Sequence, residues 1–264
     1  QFSDSLRKRG LDITCAFRAS WYNEAMVRDK VPVKPLDTFG RDDCPVILIG
    51  NTKAIWQPFL SWLRNQPDWK SVSEPIDSYA AEVVNTALPE LVGARADGSL
   101  PGEGGSPVRT NVIWYSERGD RLVAMQRAAT ICGLAHLDHT THLCVHPVVG
   151  TWLGLRAVVV IDAPADSLVP SREPLPPPPV GITSQEQEAA AVALERALQH
   201  APRGPSAKAA PLPDDTEPWR YWLALRETVE LGRKEYQYSD VQSWYHYTKS
   251  PAALEKALED LAGQ

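Results

Sequence analysis

The chain has 264 residues, 43% hydrophobic and 23% charged, enough for one globular core or for a core with an appended subdomain. Its formal net charge of −6 has the wrong sign for a nucleic-acid-binding surface, which is basic. No apolar run of 18 or more residues exists and no leader pattern opens the chain, so a cytoplasmic protein without a membrane span is expected.

Residues 3–9 read as the end of a helix and residues 11–17 as a first extended segment, followed by a loop or short helix at 20–25. Residues 45–50, Pro-Val-Ile-Leu-Ile-Gly, form a short continuous apolar run, the pattern of a strand covered on both faces. Asn51 or Thr52 can cap the helix that follows, where Ile55, Phe59, Trp62 and Leu63 fall at helical spacing. Residues 76–91 are expected to be helical and residues 109–115 a strand. Residues 121–134 are expected to form a helix with Leu122, Met125, Ala129 and Cys132 on one stripe. Residues 142–146 and 152–161 are the next two expected strands, and this alternation indicates a layered α/β or α+β fold.

Residues 100–107 are a Gly/Pro-rich loop. Two proline-dense tracts, 164–180 and 201–218, flank an Ala/Glu-rich helix at 184–200 capped by Thr183 or Ser184. The domain boundaries implied are a core over 1–163, a connection over 164–183 and a helical C-terminal part over 184–264. That last part is rich in Trp and Tyr, whose flat apolar faces and polar tips suit a lid over a large planar ligand.

Two features carry chemistry. His136, His139, His142, Cys144 and His146 lie within eleven positions, and imidazole and thiolate are zinc ligands. On a strand, however, alternate residues stand ~6.5 Å apart, too far for His142, Cys144 and His146 to share one ion, so no protein-held metal is expected. The four cysteines lack a Cys-x-x-Cys pair and are expected to be reduced. Arg156 sits in the apolar run Trp-Leu-Gly-Leu-Arg-Ala-Val-Val-Val, with no acidic residue until Asp162. Such a guanidinium is either paired with a carboxylate from elsewhere in the fold or holds a carboxylate of a ligand, and residue chemistry leaves both open. Phosphate-binding loops and nucleophile elbows are absent.

The segment Leu143-Cys144-Val145-His146-Pro147 through Gly150-x-Trp152 and Leu155-Arg156-Ala157 resembles the signature of the cobalamin-processing CblC family. Ser20-Trp21-Tyr22-Asn23-Glu24, Leu88-Pro89-Glu90-Leu91, Trp219-Arg220-Tyr221-Trp222 and Tyr238-Ser239-x-x-Gln242-x-x-Tyr245 match further family elements in the same order. The resemblance implies an α+β, nitroreductase-like (flavin reductase-like) antiparallel sheet flanked by helices, with an aromatic C-terminal cap. It implies base-off binding of cobalamin and removal of its upper axial ligand. The two implied reactions are glutathione-dependent dealkylation of alkylcobalamins and flavin-dependent (FMN or FAD) reductive decyanation of cyanocobalamin. A non-catalytic cobalamin carrier and a flavin reductase with another substrate are the alternatives.

By the same resemblance Arg156 is the catalytic, glutathione-binding arginine, with Arg226 and Lys256 beside it. Gln126, Gly133, His139, His142, Cys144, His146 and Leu155 are placed at cobalamin. The chain departs from the family with Thr130 where a histidine is usual, His142 for a glycine and His139 for a glutamine. A CblD-type protein and proteins of the methionine synthase pathway are implied as partners.

Overall fold

The computed structural model describes residues 1–91, 108–171, 173, 174, 176, 178, 182–200 and 217–263. The loop read at 100–107 and the proline tract at 201–216 lie outside the described residues, as does part of the first tract.

Four antiparallel strands form the central sheet: β1 (Ile13–Arg18), β2 (Pro45–Asn51), β3 (Thr110–Trp114) and β6 (Gly154–Ile161), in the order β1-β2-β6-β3. The two inner strands are the most apolar in sequence, and every residue of β2 is buried, as its unbroken apolar run requires. Side chains alternate across the sheet and feed two cores. Ile47, Ile49, Val159 and Ile161 face one core, together with α1 (Phe2–Lys8), α3 (Trp56–Arg64), α4 (Pro75–Leu91), α9 (Asp240–Thr248) and α10 (Pro251–Ala262). Val46, Leu48, Val158 and Val160 face the other, with α2 (Ala19–Arg28) and α5 (Met125–Ile131). Each fully buried aliphatic or aromatic side chain here contributes about 1.5–3 kcal/mol. Tyr245, Ala253, Leu254 and Ala257 belong to the first core, and the last two helices close it, with Tyr245 packed on Trp56 and Phe59 of α3.

Of the loop or short helix expected at 20–25, the structure takes the helix, α2, and two other local expectations change. The helix expected over 121–134 spans Met125–Ile131, preceded by a 3-10 turn at Gly119–Arg121; Leu122 lies between them and Cys132 is the C-terminal cap. Residues 142–146 are not a strand of the main sheet. Only Cys144–Val145 (β5) is extended, paired with His136–Leu137 (β4) in a separate two-stranded ribbon. Two devices shape that ribbon. The carboxylate of Asp138 accepts from the backbone N–H groups of Thr140 (3.3 Å) and Thr141 (3.1 Å), closing a turn, and His142 adopts a left-handed φ of 58°.

The helix α6 (Ser184–His200) begins with a capping box, in which Glu186 N–H donates to the Thr183 hydroxyl (3.2 Å) while Thr183 N–H donates to the Glu186 carboxylate (2.9 Å). Helix α7 (Trp219–Glu227) packs against α6, and Ala190, Leu225 and Val229 close over Leu143 and Val145 of the ribbon. A short helix, α8 (Arg233–Tyr236), connects α7 to α9. Among the described residues no helix is long and apolar enough to cross a membrane.

Candidate functional site

A cavity of about 1180 Å³ opens where β6 begins, bounded by the ribbon and the start of α5 on one side and by α7 and α9 on the other. This is beyond the ~300–1,000 Å³ typical of drug-sized ligands. Gln126, Leu137, His139, His142 and Cys144 form the first wall; Leu153, Leu155, Arg156 and Tyr115 form the floor. Trp219, Trp222, Arg226, Tyr238, His246, Tyr247 and Lys249 form the second wall. Its aromatic rings brace one another: Trp219 stacks on Tyr247 at 5.9 Å, and Tyr238 lies 5.6 Å from buried Trp152 and 5.1 Å from His246.

Arg156 is placed by a break in register. Ile49 pairs with Ala157 but Gly50 pairs with Leu155, so Arg156 is the extra residue of a β-bulge. Strict alternation would turn Arg156 toward the α2/α5 core with Val158 and Val160. Instead Leu155 packs there, and Arg156 crosses to α4. Gly50 permits the close approach, because a Cβ would lie 2.7 Å from the Gly154 carbonyl oxygen.

At 6% exposure, the guanidinium donates from Nε to Asn51 Oδ1 (2.7 Å) and from a terminal nitrogen to Asp77 Oδ1 (3.1 Å) in the first turn of α4. Its carbon lies 5.7 Å from the centre of the Tyr115 ring, whose hydroxyl donates to the other oxygen of Asp77 (2.9 Å). The carboxylate missing from the local sequence is therefore Asp77, and Arg156 still borders the cavity. Burial and the Asp77 charge push the Tyr115 phenol up to about 12.

Arg226 donates from Nε to the Thr151 carbonyl (3.1 Å), while the Thr151 hydroxyl donates to the Arg226 carbonyl (2.9 Å). Its guanidinium lies 4.9 Å from the rings of both Trp152 and Tyr238. Lys256 does not join these arginines. It lies on α10, exposed and 3.4 Å from Asp260, away from the cavity lining. The second cation of the second wall is Lys249, the left-handed residue that ends α9, 5.4 Å from the centre of the Tyr245 ring. Burial, with Arg156 nearby, lowers its pKa despite the opposing charge of Asp77.

Of the residues expected at cobalamin, Gln126, His139, His142, Cys144 and Leu155 line the cavity. Gln126 donates to the His142 carbonyl (2.8 Å), tying α5 to the ribbon. Gly133 is not in the lining; at φ 74° it turns the chain after α5. Nor is His146, whose Nδ1 accepts from the N–H groups of Val148 (3.1 Å) and Val149 (3.3 Å), and whose pKa burial lowers. Burial holds the Cys144 thiol up at about 12, far from thiolate character. Among the described residues no group of three His, Cys, Asp or Glu side chains could hold a metal ion.

Sequence reasoning missed Lys249 and His246. The signal available was the aromatic run Trp244-Tyr245-His246-Tyr247 followed by Lys249, two residues before the Pro251 that starts α10.

The described lining contains four cations, Arg127, Arg156, Arg226 and Lys249, and no carboxylate, in a chain of net charge −6. Fold and site together give a mixed α/β protein whose antiparallel sheet ends in a large, aromatic-walled cavity lined by cations.

No protein-family model matches the chain. A Danio rerio protein named cyanocobalamin reductase / alkylcobalamin dealkylase is 25% identical over 188 residues, covering 66% of this chain and 68% of that protein. The crystal structure of a C. elegans B12-trafficking protein CblC, a human MMACHC homologue, superposes with a TM-score of 0.64 at 17% identity, covering 97% of this chain and 91% of that one. The chain is thus similar in sequence to the one protein and in fold to the other.

Proposed function

We propose that this chain is a cytoplasmic cobalamin-processing enzyme, with a nitroreductase-like sheet whose aromatic C-terminal helices cap the cavity. It holds cobalamin base-off and removes the upper axial ligand, acting as an alkylcobalamin dealkylase and a cyanocobalamin reductase. The observation that carries the reading is the cavity itself: about 1180 Å³, walled by aromatic rings, with four cations and no carboxylate among its described lining residues. The names of the two relatives point to the same substrate class.

In dealkylation the glutathione sulfur attacks the alkyl carbon, and the carbon–cobalt bond breaks with its electron pair left on cobalt. The protein orients the two reactants and excludes water, which accounts for most of what an in-line displacement needs. Arg156, Arg226 and Lys249 hold the carboxylates of glutathione, with Lys249 taking the part first given to Lys256. Gln126, His139, His142, Cys144 and Leu155 form the wall beside the corrin. A reduced flavin, FMN or FAD, would supply the electrons for decyanation, and the aromatic second wall suits its planar ring. A CblD-type protein and the methionine synthase pathway are the implied recipients of the product.

The test is incubation with methylcobalamin and glutathione, followed by the visible spectrum and by mass detection of S-methylglutathione. Formation of both cob(I)alamin-derived product and S-methylglutathione supports the reading. Cobalamin binding without either product refutes the dealkylase.

A further inference from the structure

We propose that the imidazole of His246 is the catalytic base that receives the thiol proton in this cavity, an inference that rests on the dealkylase reading above. A thiol is a poor nucleophile until it loses its proton, so some group at the site must accept it. Most titratable side chains on the described lining are unsuited. Tyr115 and Cys144 keep their protons up to about 12. The four cations have no lone pair to offer while charged. Besides the phenols of Tyr238 and Tyr247, three imidazoles remain. His139 and His142 are exposed and belong to the turn of the β4–β5 ribbon. His246 stands on the second wall, in the helix that ends at Lys249.

The ring of His246 is held on three sides, by Tyr238 at 5.1 Å, Trp56 at 5.9 Å and Tyr245 at 6.0 Å between centroids. One helical turn earlier, the buried side-chain amide of Gln242 lies 3.4 Å from Nε2. With the amide oxygen turned to Nε2–H, Nδ1 is left as the free acceptor. Apart from Trp56 of α3, the groups around the ring are charges and phenols: Arg156 from β6, Arg226 from α7, Lys249 from the end of α9, Tyr238 before α9 and Tyr245 within it. Asp77 and Glu74, at the start of α4, are the carboxylates acting on this cluster. Burial first, and then Arg156, Lys249 and Arg226, push the imidazole pKa well below its ordinary value, so the ring is uncharged while the site is empty. Glutathione carboxylates docking on those cations remove much of that repulsion. The proton affinity of the ring therefore rises as the thiol arrives.

The step balances without another reagent. The S–H bond breaks and its proton passes to Nδ1. The sulfur electron pair forms the S–C bond, the carbon–cobalt pair stays on cobalt, and the imidazolium returns its proton to water after release.

The experiment compares His246→Gln and His246→Asn with the unmodified protein. Methylcobalamin dealkylation is measured from about pH 6 to 9.5, with glutathione and with the more acidic trifluoroethanethiol. Cyanocobalamin binding is followed by its visible spectrum. The expected result is unchanged cobalamin binding and a loss of about 10²–10³-fold in kcat with glutathione near pH 7. The variants should regain about tenfold per pH unit toward the thiol's own pKa of about 8.5, and their loss should shrink below tenfold with the acidic thiol. A loss under threefold with an unchanged pH profile overturns the proposal, as does an equal loss with both thiols at every pH. If the unmodified protein turns over no glutathione, the dealkylase reading falls and the proposal with it. Should neither variant fold, the unmodified protein decides: kcat/KM flat from about pH 7 to 8.5 supports a base, whereas a rate that climbs with thiol ionisation overturns it.

Discussion

Replacing Arg156 by glutamine separates the two tasks of its guanidinium. In the folded chain the side chain is 7% exposed and donates to Asn51 at 2.7 Å and to Asp77 at 3.1 Å. A hydrogen bond to a charged group contributes about 1.5–3 kcal/mol. Asp77 keeps the Tyr115 hydroxyl and is 21% exposed, so water recovers part of the loss. The net cost to unfolding free energy is then about 2–4 kcal/mol, readable in urea by fluorescence of the nine tryptophans. The ligand-side loss is separate. One charge-assisted contact to a glutathione carboxylate corresponds to about 2–3 kcal/mol, or about 30–150-fold in kcat/KM for glutathione. Cyanocobalamin affinity should stay within about threefold. Glutathione-dependent dealkylation at the unmodified rate would refute the ligand role, and a stability loss below about 1 kcal/mol would refute the pairing.

Lys249→Ala should raise the glutathione KM about tenfold, while Lys256→Ala changes it less than twofold; steady-state kinetics on the pair decides between the two lysines. Gly150→Ala should cost at least about 3 kcal/mol, because φ is +59° and the added Cβ would sit 1.8 Å from the Leu231 carbonyl oxygen. Gly119, also at φ +59° but with nothing within 4 Å, should cost only about 1 kcal/mol on the same substitution, and equal Tm shifts would contradict the packing argument. Stability should be full above about pH 6.5 and fall below it, because unfolding frees His246 and His146 to take up protons that the fold denies them. His246 contributes a slope of up to about 1.4 kcal/mol per pH unit, so His246→Gln should flatten the curve measured by denaturation from pH 7.5 to 5. An identical slope in the variant would contradict this.

The elements that build the sheet were legible because each carries its own signal. The run at 45–50 is apolar on both faces, and residues 76–91 carry a helical stripe that buries Ile76, Tyr79, Val83 and Ala87. The ribbon at 136–145 was misread because its shape is set by the side chain of Asp138 and the left-handed His142, neither of which leaves a periodic trace. Arg156 was visible as an anomaly, but its direction was not. The bulge that turns it from one face to the other is a property of pairing between β2 and β6. Asp77 is 79 positions away in sequence, joined to Arg156 by topology alone. Lys256 is implied only by alignment with the family pattern, whereas the α9 terminus that brings Lys249 to the cavity is a three-dimensional fact.

The central claim is that the cavity takes cobalamin base-off. Titrating the protein into cyanocobalamin and recording the visible spectrum tests it most directly. The account predicts a shift of the absorption bands to the base-off form that saturates at one equivalent. A spectrum that stays that of free cyanocobalamin at every ratio would contradict it.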